Sequence, residues 1–350
     1  MPLLARRPFL SLLAMPWLGA AKPARAAIAP SDWQIFLHRH LRDQGRIVDD
    51  SNGQISHSEG QGFSLLCAEA ADDLGSFLAI LDWTNRVLQR PGDALFAWRF
   101  HPTRGVDDPN NATDGDLLIA WALLRGAERW RRADFAEQGR AIARDILRLL
   151  VRDVQGQIIL LPGHRGFEQP HDIIINPSYY VFPALRALAR AVPDPAWLRV
   201  VGDGLWLMRR SLFGRWGLPA DWVALPRNGE RPRPAPGWPA RFSYDAVRVP
   251  LYLGWSGLTA EPPLQAAARF WAGDLARAPA WVDLATDAPA PYGASPGVRA
   301  IASFSVATGS EAARATQVAF PPIRESQAYY SAILGLLTRL AWRDFLQNRA

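Results

Sequence analysis

Hydrophobic residues recur at helical spacing along most of the chain, whereas strand-like alternation is scarce. Apolar positions at i, i+3, i+4 and i+7 predict amphipathic helices. The first such stretch, SDWQIFLHRHLRDQ, opens with Ser31 or Asp32 as a helix cap. The pattern predicts about ten helices, over residues 31–44, 61–73, 74–90, 115–130, 132–153, 177–191, 195–212, 244–257, 262–277 and 326–346. A short β piece is predicted within 155–163.

Consecutive helices of this length are expected to form antiparallel hairpins, and the chain has room for about six of them. No motif repeats at a fixed period. The pattern therefore leaves two architectures open, an irregular helical array and a closed double ring of helices. The Pro- and Gly-rich stretch 225–241 precedes another helix of the same character. We therefore interpret it as a long loop and not as a linker between domains.

Three acidic residues stand where predicted helices begin. They are Glu59 after Ser58, Asp114 after Thr113, and Asp245 shortly after Ser243. Two of these starts match a capping box, with Ser58 paired to Gln61 and Thr113 paired to Asp116. Acidic residues at helix starts complement the helix dipole, so capping alone explains any single case. Asp116 is assigned to that role only.

The three acidic residues at helix starts indicate a shared site if the helices form a ring. Every inner helix of such a ring runs in the same direction, so Glu59, Asp114 and Asp245 are expected to converge at one end. Room for a ligand to approach the backbone is expected at three neighbouring glycines, Gly60, Gly62 and Gly115. Converging carboxylates beside aromatic residues are typical of glycoside hydrolysis, which needs a proton donor and a carboxylate that activates water. Because a helix start lowers a carboxyl pKa, burial or a like charge must oppose the dipole at the acid.

Four motifs in this order resemble those of glycoside hydrolase family 8: SEGQGFSLL, ATDGDLLIAWALL, NPSYY and FSYDAVRV. The stretch from Ala112 to Trp130 is similar to the family signature, apart from Gly126 where the signature usually has Ala. The likeness covers about residues 31–345. It implies an all-α fold, an (α/α)6 barrel with an open substrate cleft and minor β pieces. It also implies a secreted inverting endo-β-1,4-glucanase of bacterial cellulose synthesis, acting on cellulose or a related β-glucan.

The resemblance also implies a role for each matching residue. Glu59 matches the general acid, Asp245 the general base, and Asp114 the carboxylate that holds the sugar ring at the cleaved position. Tyr244 and Arg248 flank the base and are expected to hold it and its water. Tyr179, in NPSYY, matches a tyrosine near the attacking water.

Other candidates follow from residue type and carry structural alternatives. The aromatic residues that suit stacking on a sugar, with core packing as the alternative, are Trp98, Trp222, Tyr329 and Tyr330. His57 is expected to be a structural hydrogen-bonding residue. His164 and Arg165 are expected to be solvated loop residues, with the border of the cleft as the alternative. We expect no cofactor and no metal, because Asp114-Gly115-Asp116 has no nearby His or further carboxylate.

Two other functions remain open at this stage. The same chemistry could act on chitosan, xylan or mixed-linkage glucan. A catalytically silent glycan-binding or scaffolding protein on the same barrel is the third hypothesis, and the presence of all three carboxylates argues against it.

Composition changes the picture mainly at the N-terminus. Residues 1–26 combine an Arg pair, an apolar stretch and Ala24-Arg25-Ala26, which predicts a signal peptide of the Sec or twin-arginine type. Removal of residues 1–26 takes away four basic residues, so the formal net charge of +6 falls by four units. Lys22, the only lysine, is among the residues removed. The remaining chain, 27–350, is predicted to be one catalytic domain, periplasmic or secreted, without a membrane span.

Partners and redox state follow from the same composition. No clustered basic stripe of the kind that binds nucleic acid is present. The expected partners are a β-glucan polysaccharide and the cellulose synthase or export complex. Cys67, the only cysteine, lies in an apolar run and is predicted to be a small buried hydrophobic residue.

Overall fold

The computed structural model describes residues 28–309 and 318–348, so the predicted signal peptide lies outside the described residues. Within these ranges the chain forms eleven α-helices. They are α1 (Pro30–His40), α2 (Ser58–Ala70), α3 (Leu74–Leu88), α4 (Thr113–Trp130), α5 (Ala133–Leu150), α6 (Phe182–Ala191), α7 (Pro195–Arg210), α8 (Arg248–Trp255), α9 (Pro262–Phe270), α10 (Pro296–Gly309) and α11 (Tyr329–Gln347).

Six of these helices form a closed inner ring. In ring order α2, α4, α6, α8, α10 and α11 each contact the next, and α11 returns to α2. Helices α1, α3, α5, α7 and α9 pack behind them as an outer layer. The predicted all-α double ring is therefore confirmed, and the irregular array is excluded.

Burial distinguishes the two layers. Every residue of the inner helix α2 is buried except Glu59. The outer helix α5 buries one stripe at three- and four-residue spacing, namely Phe135, Gly139, Ile142, Ala143, Ile146 and Leu150. An inner helix is covered on all sides, whereas an outer helix presents one face to water. The exposure of a single acidic residue at the start of α2 therefore marks an opening in the ring.

Short strands gather at the end of the barrel where the inner helices begin. They are β1 (Leu41–Arg42), β2 (Arg46–Ile47), β3 (Ser56–His57), β4 (Ala97–His101), β5 (Gly105–Asn111), β6 (Val151–Val154), β7 (Gln157–Leu160), β8 (Asp172–Ile175), β9 (Leu212–Phe213), β10 (Leu218–Pro219), β11 (Val223–Pro226), β12 (Arg233–Pro234), β13 (Arg241–Phe242) and β14 (Val282–Asp283). All the pairs are antiparallel, and the largest sheets are β3-β4-β5 and β12-β11-β8. Because β3 leads directly into α2 and β5 into α4, these sheets flank the mouth of the barrel.

Several predicted boundaries differ from the structure. The predicted helix 244–257 begins only at Arg248, and residues 243–247 form a turn before it. Pro250 is therefore the third residue of α8, where its missing N–H costs no helical hydrogen bond. Helix α10 had no counterpart among the predicted helices. The predicted β piece at 155–163 contains β7, which pairs with β6 as a hairpin.

Two smaller expectations concern Cys67 and membranes. Cys67 is fully buried, and burial raises the pKa of its thiol, as expected for a packing residue. No helix within the described ranges is long and apolar enough to cross a bilayer.

Candidate active site

One arginine joins the three predicted carboxylates. Arg248 is the first residue of α8 and is only 2% exposed. Its Nη1 contacts Glu59 and lies 3.3 Å from Asp114 Oδ2, and its Nη2 lies 2.6 Å from Asp245 Oδ1. Nη2 also donates to the Ser178 hydroxyl at 3.1 Å. A single positive charge is thus shared by three carboxylates, which favours a proton on at least one of them.

Glu59 is held by a histidine cap and not by the predicted capping box. His57 precedes α2, and its Nδ1 accepts a hydrogen bond from the Gly60 N–H at 3.0 Å. The same nitrogen lies 3.7 Å from Glu59 Oε2. The structural role predicted for His57 is confirmed. Capping by an imidazole ring places a second titratable group directly beside the Glu59 carboxyl.

The other member of the predicted box, Gln61, is buried within the barrel wall. Its side-chain oxygen accepts from the Ile47 N–H at 2.8 Å, and its amide donates to Thr84 Oγ1 at 2.9 Å. Gln61 therefore ties the start of α2 to α3 and to β2. The prediction that it pairs with Ser58 is wrong.

The second capping box, Thr113 with Asp116, is also wrong. The Thr113 hydroxyl donates to the Leu161 carbonyl at 2.6 Å. Asp116 accepts from the Phe96 N–H at 2.9 Å and from the Asn111 side-chain amide at 2.8 Å. Asp116 is structural, as predicted, but it anchors the approach to β4 and the end of β5 to α4.

Asp114 is the second residue of α4, and its side chain is 2% exposed. Its Oδ1 accepts from the Gly115 N–H at 2.8 Å. Burial raises the pKa of Asp114 to about 7, while this hydrogen bond and the charge of His57 act in the opposite direction. Near neutral pH the carboxyl is therefore present in both protonation states. Such a group can either donate to or accept from a sugar hydroxyl.

Asp245 lies in the turn before α8 and not in the first helical turn. Its side chain is 28% exposed, more than that of Asp114. Burial, followed by the charges of Asp221 and Asp114, raises the pKa of Asp245 well above its ordinary value. The ion pair with Arg248 opposes that rise, since an adjacent cation favours the ionised form.

Asp221 is not among the residues predicted from the sequence, but it holds the turn that carries Asp245. Its Oδ1 accepts from the backbone N–H groups of Ser243 at 3.0 Å, Asp245 at 3.2 Å and Ala246 at 2.8 Å. Its Oδ2 accepts from the Ser243 hydroxyl. Asp221 is 8% exposed and follows β10 by two residues. Asp221 lies in the stretch PADWV, residues 219–223, and no local pattern links that stretch to Ser243.

The glycines beside the carboxylates allow helices to pack closely. A Cβ on Gly115 would lie 2.2 Å from Ser58 Oγ, and one on Gly62 would lie 2.7 Å from Leu118 Cβ. A Cβ on Gly60 would lie 2.8 Å from a tyrosine hydroxyl. The expectation that these glycines admit a ligand is wrong. Gly62 and Gly115 bring α2 and α4 close enough for Glu59 and Asp114 to share one arginine.

Eight of the candidate site residues line one cleft of about 490 Å³. They are Glu59, Trp98, Asp114, Tyr179, Tyr244, Asp245, Arg248 and Tyr330. Its floor is formed by the starts of α2 and α4 and by the turn before α8. Residues that are far apart in sequence thus meet on one concave surface.

The aromatic residues of the cleft are held in defined orientations. Trp98 is half-buried, its Nε1 donates to Asp108 at 2.7 Å, and the Arg99 guanidinium lies 4.7 Å from its ring. The Tyr330 hydroxyl donates to the Tyr244 carbonyl. The Tyr244 ring lies 6.1 Å from the Tyr330 ring, and the residue is 60% exposed. Such rings offer flat apolar faces beside the carboxylates.

Tyr179 lines the cleft beside the acidic cluster. It ends a short 3-10 helix, Pro177–Tyr179, that Asn176 caps by accepting from the Ser178 N–H at 3.0 Å. Burial, and then the charges of Asp114 and Asp245, raise the pKa of the Tyr179 hydroxyl. The hydroxyl therefore stays protonated close to both carboxylates.

The structure places Trp222 and Tyr329 outside the lining of the cleft. Trp222 stacks between Phe167 and Trp238, with ring centroids 5.8 and 5.2 Å away. Its side chain reaches Asp245, where its hydrogen bond opposes the rise in that carboxyl pKa. Tyr329 is buried, and its ring lies edge-on to His57 at 5.6 Å. Both are therefore supporting residues beneath the cleft.

The loop candidates His164 and Arg165 also lie away from the cleft lining. The His164 N–H donates to Asn111 Oδ1 at 2.7 Å, and the Arg165 N–H donates to Asn110 Oδ1 at 3.2 Å. They fix the loop after β7 to the end of β5. The alternative that they border the cleft is not supported.

A larger concavity of about 2690 Å³ lies among the C-terminal ends of the inner helices. Its partly buried acids Glu69 and Asp344 are both held in ion pairs with arginines. Carboxylates tied in this way are poorly suited to proton transfer. Among residues 28–309 and 318–348, no three His, Cys, Asp or Glu side chains are grouped to hold a metal ion.

Comparison with known proteins agrees with this geometry. The family model "Glycosyl hydrolases family 8" matches residues 1–344. A probable endoglucanase of Novacetimonas hansenii is 44% identical over 324 residues, 92% of this chain and 92% of that protein. An endoglucanase of Cellulomonas uda is 37% identical over 83% of this chain and 81% of its own length. The solved structure of the endo-β-1,4-glucanase CMCax from Acetobacter xylinum superposes with a TM-score of 0.84 at 42% identity, covering 90% of this chain and 98% of that one. The chain therefore belongs to glycoside hydrolase family 8.

Proposed function

We propose that this protein is an endo-β-1,4-glucanase that hydrolyses cellulose or a related β-glucan with inversion at the anomeric carbon. The observation that carries the proposal is the set of three carboxylates on one guanidinium, in a cleft lined by aromatic residues. The family's relatives cited above, which bear endoglucanase names, support the choice of reaction and substrate.

Glu59 is the general acid in this proposal. It protonates the oxygen that joins the two sugars as the bond breaks. Its position supports this role, because it is the one residue of α2 that is not buried. Arg248 and His57 both contact its carboxyl and fix its orientation.

Asp245 is the general base, which removes a proton from water as that water attacks the anomeric carbon from the opposite side. The hydrogen bonds from the turn to Asp221 hold it in place. Tyr179, which lines the same cleft as Asp114 and Asp245, contacts that water in this proposal. Asp114 binds the sugar ring at the cleaved position, and its raised pKa lets it share a proton with a ring hydroxyl. No cofactor takes part in the proposed reaction.

The substrate is proposed to be a β-1,4-glucan, in preference to chitosan, xylan or mixed-linkage glucan. Tyr244, Trp98 and Tyr330 supply flat surfaces for neutral sugar rings. A glycan-binding protein without catalytic activity does not need three carboxylates that compete for one cation. We therefore propose catalysis and not binding alone.

We further propose that the mature protein is the single catalytic domain 27–350, located in the periplasm or secreted. The signal pattern of residues 1–26 supports this location. The proposed partner is the cellulose synthase or export complex. N-terminal sequencing of protein from the periplasmic fraction should find Ala27 or a close neighbour, whereas intact Met1 in the cytoplasm would contradict the proposal.

The proposed activity is tested by incubating purified protein with carboxymethylcellulose, chitosan, xylan and lichenan and counting the new reducing ends. We expect the highest rate on carboxymethylcellulose, with a rapid fall in viscosity that marks internal cleavage. A Glu59→Gln sample controls for contaminating hydrolases. A higher rate on chitosan or xylan would overturn the substrate assignment, and no release from any polymer would overturn the activity.

A further inference from the structure

A second aromatic group lies beside the cleft, on a segment that the proposed mechanism does not use. Residues 279–293, here called the aromatic ribbon, fold back on themselves. Bridges join Pro279 to Gly293 and Val282 to Pro289. The Ala290 N–H also donates to the Trp281 carbonyl at 2.8 Å.

The aromatic ribbon is fastened to the segment that carries Asp245. Its strand β14 pairs with β13, opposing Val282 to Phe242 and Asp283 to Arg241. The turn with Tyr244 and Asp245 follows β13 directly. The ribbon therefore keeps a fixed position relative to the proposed base.

Three tyrosine side chains, supported by Trp281, connect the ribbon to the cleft. The Trp281 Nε1 donates to the Tyr292 hydroxyl at 2.9 Å, and their ring centroids lie 6.4 Å apart. A hydrogen bond with the Tyr292 hydroxyl raises the pKa of Tyr244. The Tyr244 ring in turn lies 6.1 Å from the Tyr330 ring. The row thus runs from Tyr330 through Tyr244 to Tyr292.

Support for this row comes from beneath it. The Arg241 guanidinium lies 3.9 Å from the Trp281 ring centre, so one face of Trp281 is covered. Tyr292 and Tyr244 are instead 53% and 60% exposed. Large aromatic rings with this exposure contribute little to the stability of the fold, although their hydroxyls are held in place. Fixed orientation combined with exposed faces is the form of a preorganised binding surface.

We propose that Tyr244 and Tyr292 form a platform on which a β-1,4-glucan chain continues beyond the 490 Å³ cleft on the Asp245 side. The platform rests on the proposed function, since it needs a glucan chain in the cleft. The C–H faces of equatorially linked glucose rings are apolar and flat, so they match exposed tyrosine rings. Trp281 and Arg241 position Tyr292 from behind and do not touch the sugar. The platform makes the enzyme prefer long chains to short ones.

The test compares Tyr292→Ala with wild type on carboxymethylcellulose, on cellohexaose and on the shortest cello-oligosaccharide that wild type cleaves. We expect kcat/KM to fall about 3- to 10-fold on the long substrates, through KM, and to stay unchanged on the shortest one. Tyr292→Phe keeps the ring and should retain most of the preference for length. Trp206→Ala is the matched control, because Trp206 is 38% exposed on the outer helix α7 and carries Arg210 over its ring at 4.7 Å.

The outcomes separate the platform from the proposed function. Wild type that cleaves no cello-oligosaccharide would overturn both. If wild type is active and Tyr292→Ala keeps the wild-type ratio of rates on long and short substrates, the platform alone is overturned. A binding measurement in the Glu59→Gln background, by calorimetry with cellohexaose, gives a readout that does not depend on turnover. There Tyr292→Ala should weaken binding about 3- to 10-fold, and equal affinity would again overturn the platform.

Discussion

Acidic residues and arginines cluster at both ends of the inner ring, but the balance of charge differs. At the cleft, three carboxylates share Arg248. At the opposite end, Glu69 alone binds two arginines, Arg125 at 2.7 Å and Arg129 at 2.6 Å. Asp344 likewise lies 3.0 Å from Arg125 and is bound by a further arginine. One cluster therefore lacks positive charge, and the other has enough for every acid.

The difference separates a reactive cluster from a structural one. Burial lowers the pKa of Arg125, but Glu69 and Asp344 outweigh that effect and keep it charged. At the cleft, burial raises the pKa of Asp114 to about 7, and the single cation does not prevent that rise. Carboxylates that outnumber the neighbouring cations can gain and lose protons near neutral pH, whereas balanced ion pairs hold helix ends together.

The largest expected effect is the loss of activity when the acid of the cleft is removed. Glu59→Gln keeps the size of the side chain but removes its proton, so kcat should fall by about four orders of magnitude. The matched variant at the other end, Glu69→Gln, should keep its kcat. Reducing-end assays on carboxymethylcellulose compare the two. A Glu59→Gln protein with most of its activity would reduce that residue to a structural role.

Asp221→Asn sharpens the comparison within the cleft, because this residue acts through the position of Asp245. The Asn amide oxygen accepts hydrogen bonds from the N–H groups of the turn more weakly than the Asp221 carboxylate does. The less firmly held Asp245 should lower kcat about 10- to 100-fold, with KM nearly unchanged. Asp221 raises the pKa of Asp245. Its neutralisation should therefore move the acid limb of the kcat profile to lower pH. An altered melting temperature with unchanged kcat and pH profile would leave Asp221 a purely structural residue.

Glu69→Gln should instead affect stability. Removing the Glu69 charge leaves the partly buried Arg125 with Asp344 alone and Arg129 with Asp72 at 3.8 Å. This loss should cost about 2 to 4 kcal/mol of unfolding free energy. Urea denaturation at neutral pH measures the loss. A stability equal to that of wild type would mean that the rear cluster does not hold the helix ends together.

A second effect on stability depends on pH. The Asp114 carboxyl ionises near 3.8 in the unfolded chain and near 7 in the folded protein. Between these values the folded state binds more protons, so unfolding free energy should fall by up to about 1.4 kcal/mol per pH unit as pH rises. Asp114→Asn removes this contribution, and its stability relative to wild type should increase across the same window. Parallel curves for the two proteins from pH 4 to 7 would contradict the raised pKa.

Local patterns in the sequence predict the helices and the three acidic residues at helix starts. The closed ring and the roles of Tyr179, Tyr244 and Arg248 are expected only from the family resemblance. Outer helices such as α5 carry a clear apolar stripe. Acidic residues at helix starts converge once the inner helices are parallel. Helix α10 escaped prediction because it is small-residue-rich and mostly buried, so no polar face marks its period.

The supporting contacts could not be predicted in the same way. His57 replaces the Ser58 cap, and Gln61 points to strands and helices that only the fold brings near. Asp221 lies more than twenty residues before the turn that it holds. Such contacts depend on tertiary neighbours, whereas capping patterns are read from adjacent residues.

The stereochemistry of cleavage tests the central claim most directly. If Glu59 is the acid and Asp245 activates water, hydrolysis is a single displacement and inverts the anomeric carbon. Proton NMR of a fresh cellohexaose digest, recorded before mutarotation, should show the α-anomer first. The Trp206→Ala protein should give the same result. Initial release of the β-anomer would require a covalent intermediate and would contradict the role assigned to Asp245.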